Sequence, residues 1–265
     1  MPAIVISSAC FGYRRKQVLH SINLETADGE FLGVIGPNGS GKTTLLKAMS
    51  GLLKTWSGHI TLNGENIRSY RREDLARHVA LLPQNAVLPE LFTALDIVLM
   101  GRMPHLGLIR YESSRDVRIA LDAMEATQTT QLARRRMNEV SGGEKQRVVI
   151  ARALTQEARI LMLDEPTANL DINYQSEILS FLRKLCRERQ MTVIAALHDL
   201  NLASQYCDRL VMLNNGTIYR QGTPVEVIEV DAIREVFGAE VMVHPHPING
   251  LPTTLIAPQN HRTGS

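Results

Sequence analysis

The chain has 265 residues, 44% of them apolar, so it is long enough to bury a full hydrophobic core without disulfide staples. Its 29 Lys and Arg residues nearly balance its 27 Asp and Glu residues, which excludes a strongly basic nucleic-acid binder and an acidic disordered chain. The three cysteines, Cys10, Cys186 and Cys207, are far apart in the sequence. We therefore expect neither a disulfide framework nor a zinc site, and a reducing cytosol fits them best.

Neither a secretory signal nor a membrane-spanning helix is expected. The N-terminus lacks the basic start and long apolar run of a signal peptide. No apolar run approaches the roughly 18 residues that a membrane span needs. If the protein works at a membrane, we expect another chain to cross it.

The first third of the chain predicts short strands followed by one strand–loop–helix unit. Residues 4–6 and 60–62 are apolar runs between turn residues and are predicted as strands. Residues 31–35 form a further apolar strand with glycines directly after it. Apolar residues at helical spacing then predict a helix over residues 42–53.

The loop between that strand and that helix fits the pattern G-x-x-x-x-G-K-[ST]. Its glycines let backbone N–H groups close on phosphate oxygens, and the helix that begins there adds the positive end of its dipole. Lys42 can reach the β- and γ-phosphates, and the Thr43 hydroxyl can ligate Mg²⁺. A purely structural glycine turn is the alternative. The residues predicted to bind phosphate are Gly36, Pro37, Asn38, Gly39, Ser40, Gly41, Lys42, Thr43 and Thr44.

The middle of the chain, residues 88–155, differs from its flanks. Helix-like periodicity covers residues 94–100 and 114–127, and no clear strand is present. We interpret this part as a helical subdomain inserted between two parts of one α/β domain, residues 1–87 and 156–265.

A second glycine-bearing helix start lies inside this insert, at Ser141, Gly142, Gly143 and Glu144. Such a start offers N–H groups and a positive dipole end to an anion. An ordinary Ser N-cap is the alternative interpretation. Because the phosphate loop already serves one nucleotide, a second anion site suggests a nucleotide that is completed by another copy of the chain.

The second half predicts more buried strands separated by helices. Residues 160–163, 192–197 and 209–213 are apolar runs, and residues 173–189 form a predicted helix between the first two. Continuous apolar strands that alternate with amphipathic helices predict an α/β fold with a mostly parallel sheet covered on both faces. Near the end, prolines beside His244 and His246 are expected to spoil a regular strand.

Polar residues follow three of these strands at the point where each ends. They are Gly36, the pair Asp164 and Glu165, and His198. Because the ends of parallel strands share one edge, we expect these residues to meet at one site. Asp164 could hold Mg²⁺ through water, Glu165 could orient and deprotonate an attacking water, and His198 could sense the γ-phosphate. Taken alone, a solvated turn would explain the carboxylates, and a structural role the histidine.

The order of these motifs resembles the ATP-binding subunits of ABC transporters over nearly the whole chain. Gln84 after Leu81-Leu82-Pro83, the signature segment 140–144 and the segment Ala168-Asn169-Leu170-Asp171 match that family as well. The resemblance implies a P-loop NTPase (RecA-like) α/β core with a mostly parallel sheet, an antiparallel β subdomain and an inserted helical subdomain.

The resemblance also implies roles for the site residues, with ATP and Mg²⁺ as the bound groups. Tyr13 would stack on adenine, and Gln84 would link Mg²⁺ and the γ-phosphate to a transmembrane partner. Asn169 and Asp171 match the D-loop of the family. The implied catalytic residues are Glu165, His198 and Gln84, and the implied Mg²⁺ ligands are Thr43, Gln84 and Asp164. The signature departs mildly from its commonest form, with Val140 for Leu and Glu144 for Gln.

The family further implies the assembly. Two copies of the chain face head to tail with two ATP molecules between them, each under the other copy's residues 141–143. Two transmembrane permease subunits and, indirectly, an external substrate-binding protein complete the system. The chain would be peripheral, at the cytoplasmic face of the inner membrane, and would bind no nucleic acid.

Residues 93–107 resemble importers of iron-siderophores, haem and cobalamin and would lie beside the Gln84 loop, where a permease helix docks. An amphipathic core helix is the structural alternative for this segment. A soluble ABC ATPase acting in cluster assembly, or on nucleic acid or ribosomes, is the alternative function, and an exporter ATPase is a further one.

Overall fold

The computed structural model describes residues 3–84, 88–106, 112–168 and 170–256. The strands are β1 (Ile4–Tyr13), β2 (Lys16–Thr26), β3 (Phe31–Ile35), β4 (Thr55–Leu62), β5 (Glu65–Asn66), β6 (Val79–Leu82), β7 (Ile160–Asp164), β8 (Thr192–Ala196), β9 (Arg209–Asn214), β10 (Thr217–Gly222), β11 (Val241–Pro245) and β12 (Pro252–Ile256). The helices are α1 (Lys42–Met49), α2 (Arg72–His78), α3 (Ala94–Leu99), α4 (Met103–Leu106), α5 (Ser114–Ala126), α6 (Gly142–Thr155), α7 (Ile172–Arg189), α8 (Leu200–Tyr206), α9 (Pro224–Val227) and α10 (Val230–Phe237).

The central sheet has six strands in the order β10-β9-β3-β8-β7-β6. All neighbouring pairs are parallel except the edge pair β9 and β10, which is antiparallel. Every residue of β3, β7 and β8 is buried, as their unbroken apolar runs predict for strands covered on both faces. The predicted mostly parallel α/β core is therefore confirmed.

A second sheet is antiparallel, with the order β2-β1-β4-β5. Its apolar face and helix α1 enclose a buried cluster against one face of the central sheet, with Phe11, Leu19, Leu45 and Ile60 among its members. This sheet is the antiparallel β subdomain that the family resemblance implied. Helix α1 is thereby held between the two sheets, and its first turn follows the loop that leaves β3.

The other face of the central sheet is covered by helices, including those from the middle of the chain. Helices α3, α5 and α6 share one buried cluster with β6, β7 and α7, and Ile97, Met124 and Ile150 belong to it. Among the residues described between β6 and β7, only a single bridge, between Thr93 and Arg136, shows β pairing. The limits of the helical insert, residues 88–155, stay a sequence-based prediction.

Several predicted elements differ from the structure at their ends. Helix α1 stops at Met49 and not at residue 53, because Ser50 caps it and Gly51 takes a left-handed conformation with φ +73°. The prediction that prolines would spoil a strand near His244 was wrong. Strand β11 includes His244 and ends at Pro245, which pairs with Pro252 of β12. Proline is tolerated there because this two-stranded ribbon consists of edges and the pair lies at its end.

No helix within the described ranges combines the length and the hydropathy needed to cross a lipid bilayer.

Candidate functional site

The phosphate loop joins β3 to α1 and needs glycine at its first position. At Gly36, with φ +149°, an added Cβ would lie 2.5 Å from the carbonyl oxygen of Leu213 on β9, which leaves no room for a side chain. Gly41 directly precedes α1 with φ +108°, again a conformation that favours glycine. The loop therefore closes tightly between the central sheet and α1, with the backbone N–H groups of the helix start at its edge.

A cavity of about 240 Å³ lies over this helix start. Its lining residues come from β2, the loop, the start of α1 and the end of β7: Val18, Asn38, Gly39, Gly41, Lys42, Thr43, Thr44 and Glu165. Most of the residues predicted to bind phosphate thus share one cavity with the predicted catalytic carboxylate. Gly36, Pro37 and Ser40 support the loop from outside this lining, and Ser40 is buried.

Lys42 is buried at this site, and its ammonium group folds back onto the loop. Its Nζ donates hydrogen bonds to the carbonyl oxygens of Gly36 at 2.8 Å and Pro37 at 3.2 Å. Burial lowers the pKa of Lys42, and the nearby carboxylates of Glu165 and Asp164 oppose that shift. A desolvated cation held beside N–H donors makes the cavity a strong site for an anion.

The Thr43 hydroxyl and the Asp164 carboxylate meet beneath the cavity. Thr43 Oγ1 donates to Asp164 Oδ1 at 3.0 Å. Burial raises the pKa of Asp164, and the hydrogen bond from Thr43 partly offsets this. A hydroxyl and a carboxylate are oxygen ligands of the kind that Mg²⁺ prefers, so these two residues fit the predicted metal site. Gln84, the third predicted ligand, contacts Glu165 in this structure.

The three predicted catalytic residues meet, with Gln84 and His198 both in contact with the Glu165 carboxylate. Gln84 donates from Nε2 to one oxygen of Glu165, and His198 Nε2 lies within hydrogen-bond distance of the other. The three residues follow the ends of β6, β7 and β8, which are adjacent in the sheet. The sheet edge therefore brings together groups that are remote in sequence, as the strand pattern predicted.

Glu165 has an unusual backbone that aims its side chain into this cluster. Its φ is +55°, a left-handed conformation that is uncommon outside glycine, Asn and Asp. Its N–H donates to the carbonyl of Ala196 on β8 at 3.2 Å, which ties the turn to the neighbouring strand. Strain of this kind persists where the surroundings over-determine it, often at functional sites.

Tyr13 lies at the end of β1, paired with Lys16 across the hairpin and 41% exposed. It is absent from the cavity lining, whereas Val18 on β2 belongs to it. The hairpin thus borders the cavity, and adenine stacking by Tyr13 stays a prediction. Sequence reasoning missed Val18, because a valine in an alternating strand carries no signal of its own.

The signature residues begin α6, away from the lining of the phosphate cavity. Ser141 is the N-cap of α6 and forms a capping box with Glu144: the Ser141 hydroxyl and N–H both donate to Glu144 Oε2, at 2.7 and 2.9 Å. These bonds lower the pKa of Glu144. The N-cap interpretation therefore describes the local structure, while Ser141 and Gly142 remain exposed. Within one copy, the start of α6 therefore does not line the phosphate cavity.

Of the two predicted D-loop residues, Asn169 lies outside the described residues. Asp171 is the N-cap of α7, and its Oδ1 accepts from the Tyr174 N–H at 3.0 Å.

A buried charge cluster in the helical part was missed from the sequence. The Arg102 side chain, 5% exposed, donates to Asp116 at 2.8 Å, to Glu157 at 2.7 Å and to the Thr155 carbonyl at 2.9 Å. It joins the first turn of α5 to the end of α6. The sequence signal that could have identified this cluster was the position of Arg102 within the segment that resembles importers. No spacing rule, however, connects Arg102 to its acidic partners.

Comparison with known proteins identifies the family of the chain. A sequence model of the ABC transporter family matches residues 19–168. The chain is 40% identical over 241 residues to the ferric enterobactin transport ATP-binding protein FepC of Escherichia coli, covering 91% of this chain and 89% of that protein. It is also 40% identical over 248 residues to the hemin import ATP-binding protein HmuV of Rhizobium meliloti, covering 91% and 93%.

Solved structures agree with this assignment. An inward-facing metal-chelate type ABC transporter superposes with a TM-score of 0.85 at 26% identity, covering 98% of this chain and 99% of the other. The dimeric post-hydrolysis state of the ATP-binding cassette MJ0796, bound to ADP and Pi, has a TM-score of 0.73 at 28% identity, covering 83% and 98%. The chain therefore belongs to the ABC transporter family, as one of the ATP-binding cassettes that supply its ATPase activity.

Proposed function

We propose that this chain energises the import of a metal chelate, such as an iron-siderophore, haem or cobalamin, through a separate transmembrane permease. The relatives described above support this cargo class, because their names refer to ferric enterobactin and hemin. The chain itself would stay peripheral, at the cytoplasmic face of the inner membrane. Selectivity among chelates would lie in the permease and in an external binding protein.

The contact of Gln84 with Glu165 is the observation that supports coupling between the permease and ATP hydrolysis. Gln84 follows β6 at the border with the helical part, and its side chain bonds the carboxylate that would act on water. A partner that moves the Gln84 segment would therefore change the hydrogen bonding of the catalytic base. This is a direct physical route between permease and hydrolysis.

The hydrolysis step would use the residues around the phosphate cavity. Lys42 and the loop N–H groups would hold the phosphates of ATP, and Thr43 and Asp164 would hold Mg²⁺, which neutralises charge that develops on the phosphate oxygens. Glu165 would accept a proton from the attacking water, and His198 would orient that carboxylate. Each ATP would also contact residues 141–143 of a second copy in a head-to-tail dimer.

The permease surface would lie beside the Gln84 segment. Apolar side chains are exposed there, with Leu91 73%, Phe92 44% and Met103 68% exposed. Exposed large apolar groups are typical of protein contacts where they form one patch. They fall in or next to residues 93–107, the segment that resembles metal-chelate importers.

A pull-down from gently solubilised native membranes tests this proposal. A tagged chain should recover a multi-spanning permease in stoichiometric amount, identified by mass spectrometry. Met103→Glu should reduce that recovery, whereas Ile248→Glu, which changes a still more exposed apolar residue between β11 and β12, should not. A chain found only in the soluble fraction, with no membrane protein bound, would overturn the importer proposal and favour a soluble ABC ATPase.

A further inference from the structure

The start of α6 rests on the first turn of α7 through a glycine and an aromatic ring. A Cβ built on Gly143 would lie 3.4 Å from Cγ of Tyr174, and the next nearest atoms belong to the same ring. A methyl group at residue 143 would thus be in ordinary van der Waals contact with the ring, so the ring faces the second signature glycine across a space about the size of that group. Tyr174 is half-buried in this contact.

One turn further along each helix, Arg147 of α6 and Glu177 of α7 extend this contact between the helices. The guanidinium carbon of Arg147 lies 5.3 Å from the centroid of the Tyr174 ring, within range of a cation–π interaction. Arg147 also approaches Glu177 at 3.5 Å. Residues three and four apart share a helix face, so Gly143 and Arg147 of α6 meet Tyr174 and Glu177 of α7. We call these four residues the α6–α7 clasp.

The clasp is tied to the cap of α7. Asp171 accepts the backbone N–H of Tyr174 at 3.0 Å, which fixes the turn that carries the ring. Asp171 is the described residue of the predicted D-loop, and Gly143 belongs to the signature. The signature and the predicted D-loop are therefore joined through the side chain of Tyr174.

Beyond the clasp, the two helices are separated by a groove of about 540 Å³. Ile150, Ile178 and Phe181 line it, and Arg147 and Glu177 form part of its wall at the clasp end. Behind its start, α6 is held by the buried cluster that it shares with α3 and α5. The contact with Tyr174 therefore bears on the first turn of α6, which carries the signature.

We propose that Tyr174 is a positioning residue, whose ring fixes residues 141–143 relative to the start of α7 so that they reach the second copy's nucleotide in the correct register. This rests on the proposed function in one respect, that these residues act on ATP held by another copy. Tyr174 does not touch the phosphate cavity of its own chain, and ATP binding by that cavity should not depend on it.

Tyr174→Ala and Tyr174→Phe make a matched pair, because phenylalanine keeps the ring and alanine removes it. The first readout is hydrogen exchange of the backbone amides of residues 144–148 in the full chain without nucleotide. Loss of a ring contact of this kind should speed their exchange about tenfold in Tyr174→Ala, while Tyr174→Phe and the amides of α1 stay unchanged. Equal exchange in the two variants would overturn the proposal.

The second readout measures the consequence for the dimer. In a Glu165→Gln background, which is expected to bind ATP without turnover, sedimentation should show ATP-driven dimerisation. Tyr174→Ala should raise the ATP concentration for half-dimerisation about tenfold, with nucleotide affinity of the monomer unchanged and Tyr174→Phe close to the parent. An unchanged ATP requirement, or equal loss with phenylalanine, would overturn the proposal. If the Glu165→Gln parent itself stays monomeric, the dimer of the proposed function is what fails, and the exchange measurement still decides whether Tyr174 positions α6.

Discussion

At the scale of single residues, the site depends on a carboxylate shared by two neighbours. Glu165 sits in a left-handed turn and contacts both Gln84 and His198. A carboxylate that is held in place before reaction can take a proton in the correct geometry, and general-base catalysis typically contributes about 10²–10⁴-fold.

Glu165→Gln should therefore lower ATP turnover by about 10²–10⁴-fold, because glutamine keeps the size of the side chain but removes the base. Binding of ATP should persist, as Lys42 and the loop are unchanged. Phosphate release in steady state measures the first effect, and equilibrium binding of a fluorescent nucleotide the second. Glu73→Gln, at an exposed surface pair with Arg71, is the control. Turnover near that of the parent would remove Glu165 from the chemistry.

Burial of the Asp164 carboxyl group at this site has a cost in folding stability. Its pKa is raised, with burial as the largest cause, so the folded state disfavours the charged form. A raised folded pKa means that stability is greatest below the unfolded pKa of about 3.9 and is lost as pH rises through the folded value.

Asp164→Asn should consequently unfold at a higher temperature than the parent at pH 7, and the difference should shrink as pH falls toward about 4. Asparagine can still accept the Thr43 hydroxyl, so packing is preserved. Thermal unfolding followed by circular dichroism at several pH values tests this. A variant less stable than the parent at pH 7 would show that the ionised carboxylate is stabilised in the fold.

At the scale of elements, the helical part is held by charges and not by apolar packing alone. Arg102 connects Asp116 at the start of α5 with Glu157 after α6. Ser113 donates to Asp116 from both its hydroxyl and its N–H, and these bonds, with help from Arg102, lower the pKa of Asp116 to about 2. A depressed carboxyl pKa contributes stability above the unfolded pKa, and this is lost as pH falls toward the folded value.

Arg102→Met should destabilise the chain by about 3–5 kcal/mol, because it leaves the buried Asp116 carboxylate without its cationic partner. The loss should diminish between about pH 4 and pH 2, where Asp116 becomes protonated and no longer needs the cation. Denaturant unfolding over this pH range measures both effects. Arg71→Met, at an exposed pair, should change stability by less than about 1 kcal/mol. Similar losses in the two variants would argue against a special role for the buried cluster.

These elements also show how far the sequence could be read. The meeting of Gly36, Asp164 and His198 could be predicted from the sequence. Buried strands are recognisable as unbroken apolar runs, and the ends of parallel strands share one edge of the sheet. Tyr174 and Arg147 gave no such signal. Their contact depends on the crossing of two helices distant in the sequence, and neither periodicity nor spacing encodes that geometry.

At the scale of the whole molecule, the nucleotide site takes residues from three parts of the fold. The cavity takes Val18 from the antiparallel sheet, Lys42 from α1 and Glu165 from the central sheet, while α6 presents the signature elsewhere. A ligand that bridges two sheets is bound by the folded chain only, so binding free energy adds to the free energy of unfolding.

MgATP should therefore raise the unfolding temperature in a concentration-dependent way. At about 100 times the dissociation constant, stabilisation of about 2.7 kcal/mol corresponds to a shift of about 5–10 °C for a chain of this size. Removing Mg²⁺ with EDTA should reduce the shift, because Thr43 and Asp164 then contribute no metal-bridged contact to the phosphates. Lys42→Ala should abolish most of it, since the loop loses its cation. Differential scanning calorimetry with ATP, with ATP and EDTA, and with AMP separates the contribution of Mg²⁺ from that of the β- and γ-phosphates. An equal shift with AMP would mean that the β- and γ-phosphates are not what the loop holds.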